Sequence, residues 1–159
     1  MKTITLDWLV ERNACGEAID AFTERFGEKA SVRDVVEALH ERELYNWEAW
    51  LLGQSYGLTI LMIKEGADIH TANDLALFWA VREGQLRIVQ FLLEDGANVH
   101  RDNEDVLQEA LYGGYLRIAQ YLLEHGANVN AIKRVDLNHA LRGGHSRTVR
   151  FFRGRLQAA

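Results

Sequence analysis

Residues 91–100 read FLLEDGANVH, and residues 121–130 read YLLEHGANVN. The echo returns after thirty residues, and two glycine series keep the same step: Gly66, Gly96 and Gly126, then Gly84, Gly114 and Gly144. The units are GADIHTANDLALFWAVREGQLRIVQFLLED, GANVHRDNEDVLQEALYGGYLRIAQYLLEH and GANVNAIKRVDLNHALRGGHSRTVRFFRGR. A degenerate earlier copy, WEAWLLGQSYGLTILMIKEGADIH, sets Trp47 in the place of Leu77 and Leu61, Met62 and Ile63 in the places of Phe91, Leu92 and Leu93. A fixed period of this length marks an array of stacked units, each too small to bury an apolar face alone.

Within a unit the spacing predicts two helices. Asp74 is placed to cap the first, which runs to about Glu83 with Leu77, Ala80 and Val81 on one face. Gly84 ends it. The second spans about Leu86 to Glu94 and buries Leu86, Val89, Leu92 and Leu93. Gly96 then supplies the left-handed residue that stops it.

The stretches GQLRIVQFLLEDGANVH and GYLRIAQYLLEHGANVN resemble the second helix and exit of the ankyrin repeat. The resemblance covers roughly residues 47–156 and implies an all-α ankyrin-repeat solenoid that acts by binding other proteins. Two departures stand out. The usual T-P-L-H start of the first helix is replaced by NDLALFWA, and the period is thirty residues. This is similar to the shortened repeats of large DNA viruses, phages and bacteria. The β-hairpin between units is then expected to shrink to a tight loop. The resulting division is a helical N-terminal capping region over 1–46, then ankyrin-like repeats over 47–159: a partial unit at 47–66, then 67–96, 97–126 and 127–159.

Residues 1–46 do not follow the period. Thr5 or Asp7 starts a short helix, a second spans Glu17 to Phe26 and stops at Gly27, and a third is capped by Ser31 with Asp34 at its third position. Terminal units of an array need a polar outer face, which is the role expected here. The opening LDWLVERNACGEAIDAF also resembles that of small phage and prophage proteins.

The chain has 159 residues and a net charge of −5. From Lys133 to Arg155 there are seven basic residues and one acid, Asp136, a balance of +6; the remainder holds eleven basic and twenty-two acidic residues, a balance of −11. Such asymmetry bears on partners. The start carries no apolar signal-peptide core, and Leu58 to Ile63 is too short to span a bilayer. A cytoplasmic location without membrane contact is expected.

No residue pattern supports catalysis, a cofactor or a metal. Cys15 has no basic neighbour and reads as a small buried side chain. His70 and His100 occupy one repeat column, with Asn130 in the third copy. Units stack about 8–10 Å apart, too far for one zinc ion to be shared at about 2.1 Å from each nitrogen. The resemblance implies that this column ties each loop to the next unit through backbone hydrogen bonds.

By the same resemblance, partners bind where the units differ: the loops and the first-helix faces. The expected contact residues are Trp79, Arg82, Arg101, Asp102, Glu104, Glu109, Tyr112, Lys133, Arg134, His139 and Arg142. Trp, Tyr and Arg are the residues that dominate binding energy at interfaces, although Trp79 also fits a packing role between units. The expected function is masking or sequestering a partner protein. One alternative is a phage or mobile-element inhibitor of a nucleic-acid-binding defence complex, anti-CRISPR-like, in which the acidic front imitates nucleic acid. The other is direct nucleic-acid binding through Arg147, Arg150 and Arg153.

Overall fold

The computed structural model describes residues 3–158. It opens with β1 (Thr3–Thr5), α1 (Leu6–Glu11), α2 (Gly16–Phe26), β2 (Lys29–Ser31) and α3 (Val32–Glu41). The two strands pair antiparallel with Ile4 opposite Ala30, and both side chains are buried. Helical periodicity did not reveal these strands, because three residues are too short a run to register. The helix starts match expectation: Thr5 Oγ1 accepts from Trp8 N at 3.2 Å and Ser31 Oγ from Asp34 N at 3.1 Å. Gly27, with φ 71°, ends α2.

Four helix pairs follow: α4 (Tyr45–Leu52) with α5 (Tyr56–Lys64), α6 (Thr71–Arg82) with α7 (Leu86–Glu94), α8 (Asp105–Tyr112) with α9 (Leu116–Glu124), and α10 (Arg134–Arg142) with α11 (Ser146–Ala158). First helices pack on first helices in the order α4, α6, α8, α10, and second helices in the order α5, α7, α9, α11. The repeat columns explain this. Leu77, Ala80 and Val81 of α6 and Leu107, Ala110 and Leu111 of α8 have no exposed surface, nor have Ile88, Val89 and Leu92 of α7. Each larger side chain so buried contributes about 1.5–3 kcal/mol. The alanines let neighbouring first helices approach. At the α4–α6 contact the approach is closer still: a Cβ on Gly53 would lie 2.5 Å from Trp79 Cβ and 2.9 Å from the Ala80 nitrogen. Phe152 is fully buried and Phe151 half-buried, so α11 closes the final core layer as its apolar positions imply.

Two local expectations are corrected. Cys15 is exposed. It is the residue before α2, in extended backbone, and its side chain makes no capping bond. Asp74 does not cap α6 in the ordinary way. Ala72, Asn73 and Asp74 all have left-handed φ between 50° and 59°, a single reversed turn that precedes the right-handed helix. Asp102, Asn103 and Glu104 repeat it one unit later. These turns occupy the place of the shortened hairpin, and the described residues of these loops contain no strand. Successive left-handed non-glycine residues are costly, so side-chain bonds must hold them.

Candidate functional site

Those bonds come from the loops' own charges. His70 Nδ1 lies 2.7 Å from Asp74 Oδ1, and the other Asp74 oxygen accepts from Asn98 N of the next unit at 3.2 Å. The link between units therefore passes through Asp74, with the histidine bonded inside its own loop. His100 and Glu104 repeat the pair at 2.5 Å. Arg101 adds a staple. Its Nε donates to Asn73 O at 2.9 Å, one Nη to Asp102 Oδ2 at 2.7 Å, and the other to Asp105. Its guanidinium also stands 5.6 Å from the Phe78 ring.

These contacts correct the expected contact surface at two positions. Arg101 and Glu104 are only 4% and 5% exposed, so they hold the loop together. The physical reason is the reversed turn, which points both side chains inward. Asp102 remains exposed. Burial pushes the Asp105 carboxyl up in spite of the Arg101 charge beside it.

The first-helix residues do come together. The Arg82 guanidinium sits 5.3 Å from the Trp79 ring and 3.9 Å from the Glu109 carboxylate, linking α6 to α8. Tyr112 stacks at 4.8 Å on His139, linking α8 to α10. Its hydroxyl donates to Asp136 Oδ1 at 2.5 Å; burial and this carboxylate push the Tyr112 hydroxyl up to about 12. Trp79 is half-buried between units, and its indole nitrogen is buried without a hydrogen-bond partner.

The last loop is built differently. Ile132 has extended backbone and is buried, while Lys133 N donates to Asp136 Oδ2 at 2.7 Å. Lys133 and Arg134 are consequently exposed. Beyond them lies an open concavity lined by Arg134, Val135, Asn138, His139 and Arg142. Val135 is 66% exposed and was not among the expected contact residues. The available signal was its column: it stands where the polar Asp105 stands one unit earlier.

Chemically, the surface offers guanidinium groups, rings and one exposed aliphatic side chain, a set suited to recognition. Among the described residues no group of three or more His, Cys, Asp or Glu is arranged to hold a metal ion, and no helix is long and apolar enough to cross a membrane.

The comparisons agree with this geometry. A family model described as ankyrin repeats (3 copies) matches residues 46–133, more than half of the chain. No curated protein matches at a significant level. Stacked helix pairs at a thirty-residue period, joined by glycine exits and covered by that model, form a protein–protein interaction module, and the chain belongs to the ankyrin repeat family.

Proposed function

We propose that the chain masks or sequesters a partner protein through the first-helix face, centred on Tyr112, His139 and Arg142, with Arg82, Glu109, Lys133 and Arg134 around them. The observation that carries this reading is the linked row Trp79–Arg82–Glu109 and Tyr112–His139, which crosses three units and opens into the concavity at α10. Side chains held by one another lose little freedom on binding, so the row is preorganised. The segment from β1 to α3 serves as the cap that covers α4 and α5.

The test is a comparative pull-down. The native chain is set against a His139→Ala, Arg142→Glu variant that keeps Tyr112 and its bond to Asp136, with circular dichroism showing both chains folded. Proteins captured by the first and lost by the second support the reading. Identical captured sets overturn it.

A second reading draws on the balance of −11 outside residues 133–155. Here the acidic surface imitates nucleic acid and blocks a nucleic-acid-binding defence complex. It requires that such a complex co-purify with the chain and that competing DNA or RNA release it. Capture unaffected by nucleic acid is the opposite outcome.

A further inference from the structure

The two ends of the array carry opposite charge, and the α10–α11 end is open. Leu141 is 38% exposed, whereas Leu51, Val81 and Leu111 of the same repeat column are 4%, 0% and 0% exposed. Arg134, Asn138 and Arg142 of α10 are exposed as well. In α11, Arg153 is exposed in the column where Ile63, Leu93 and Leu123 are half-buried. Among the described residues none of Arg134, Arg142 and Arg153 is in ion-pair range of a carboxylate.

The internal junctions show what this side of a first helix receives. Arg82 of α6 meets the Glu109 carboxylate of α8 at 3.9 Å. Tyr112 of α8, one unit later in the same column, donates to the Asp136 carboxylate of α10 at 2.5 Å. Arg142 is the next member of this column. At two successive junctions, then, the column is closed by a carboxylate carried on a packed helix. At α10 the place is held by an exposed guanidinium, next in sequence to the partly uncovered Leu141. The surface that fits here is a helical one that brings carboxylates and an aliphatic contact.

The other end of the same molecule carries that set. There α3 lies on α4 and α5, and the paired strands hold α1 and α2 beside it. Asp7 and Glu11 of α1 and Glu17, Asp20 and Glu24 of α2 are exposed. Among the described residues none of the five is in ion-pair range of a cation. Spacings of three and four residues put the α2 acids on one side of that helix. Val10, within α1, is 54% exposed. The cations of these helices are engaged elsewhere: Arg25 with Glu41 at 2.6 Å, and Arg12 over the Trp8 ring at 5.5 Å. We propose that copies of this chain associate head to tail, the acidic α1–α2 face of one copy docking on the open basic α10–α11 end of the next. Joining two α10–α11 ends would instead set Arg134, Arg142 and Arg153 against themselves, and like charges oppose such a contact. A head-to-tail contact is not self-complementary, so it builds chains or rings of copies. It shares Arg134 and Arg142 with the first-helix face but does not depend on the masked partner.

The experiment follows the full chain alone by analytical ultracentrifugation over about a hundredfold range of concentration, at low salt and at about 0.15 M salt. The mass is expected to rise with concentration past that of a dimer, with association at least fivefold weaker at the higher salt. Arg134→Glu with Arg142→Glu at one end, or Asp20→Lys with Glu24→Lys at the other, is expected to weaken association at least tenfold. All four side chains are exposed, so melting temperatures are expected to stay close to that of the native chain. Mixing the two variants is expected to restore association, because the first keeps its acidic end and the second its basic end. A monomer mass at every concentration and salt overturns the proposal. So does a mixture no heavier than its components, or a dimer that survives reversal of either end. His139→Ala is expected to leave the mass unchanged. Assembly lost with that change and kept with the reversals would move the contact to the first-helix face and overturn the head-to-tail one. Absence of assembly leaves the pull-down on the first-helix face as a separate result.

Discussion

The loop at 98–105 and the loop at 128–136 join equivalent helices, yet they are held by opposite means. The first makes a reversed turn and buries its charges: Arg101 is stapled to Asn73 O, Asp102 and Asp105, and Glu104 lies against His100. The second leaves a 3-10 turn at Val129–Ala131 for extended backbone and buries an aliphatic side chain, Ile132, at the register position where Asp102 is exposed. One loop consumes its polar groups internally. The other releases Lys133 and Arg134 to solvent beside an open concavity. A one-unit step therefore converts a loop that buries its charges into one that exposes them.

The largest expected effect comes from breaking the buried staple. Arg101→Ala leaves the half-buried Asp105 and the Asn73 carbonyl without their donor. Removing one partner of a buried ion pair costs about 3–5 kcal/mol. Urea unfolding followed by circular dichroism checks this, and a loss below about 1 kcal/mol would show that the loop does not depend on the arginine.

Next in size is a swap at the shared register position. Ile132→Asp places a carboxylate in an apolar site and is expected to cost about 2–4 kcal/mol, from lost burial and desolvation of the charge. A neutral change at the matching position, Asp102→Asn, tolerates the left-handed backbone and is expected to cost no more than about 1 kcal/mol, since Asp102 is exposed and its Arg101 partner keeps Asp105. Equal costs for the two would erase the distinction between the loops.

Tyr112→Phe tests the support beneath the second loop. Loss of the bond to Asp136 is expected to cost about 1–2 kcal/mol at pH 7. The folded-state value of about 12 lies above the ordinary tyrosine value of 10. The folded protein thus holds this proton more tightly, and the stabilisation is complete below pH 10 and falls away as pH rises towards 12. A native-minus-variant stability difference that does not shrink over that interval contradicts the assignment.

The smallest effect belongs to the released charges. Lys133→Ala and Arg134→Ala are expected to change stability by no more than about 0.5 kcal/mol, as exposed residues outside any staple. Thermal melts provide the check. A large loss would mean that these side chains serve the loop rather than the surface.

The sequence alone determined the array. The two glycine series, the apolar columns through Leu77, Val89 and Leu92, and the shortened period all carried into the stacked helices. Local signals did this, because helix periodicity, stop residues and caps act within a few residues of one another. The row of Trp79, Arg82, Glu109, Tyr112 and His139 was legible as a set of differing positions, but not as a linked series. Only the tertiary structure decided which charges are spent. Arg101 and Glu104 looked like surface residues because their identities are polar, and Cys15 looked buried because its neighbours offer it no chemistry. Burial depends on which way the backbone turns and on what the next unit brings against it. Left-handed turns at 72–74 and 102–104 follow from contacts 24 to 29 residues apart, such as Asp74 with Asn98, Arg101 with Asn73 and Asn73 with Asp102. No window along a single unit contains both partners of those contacts.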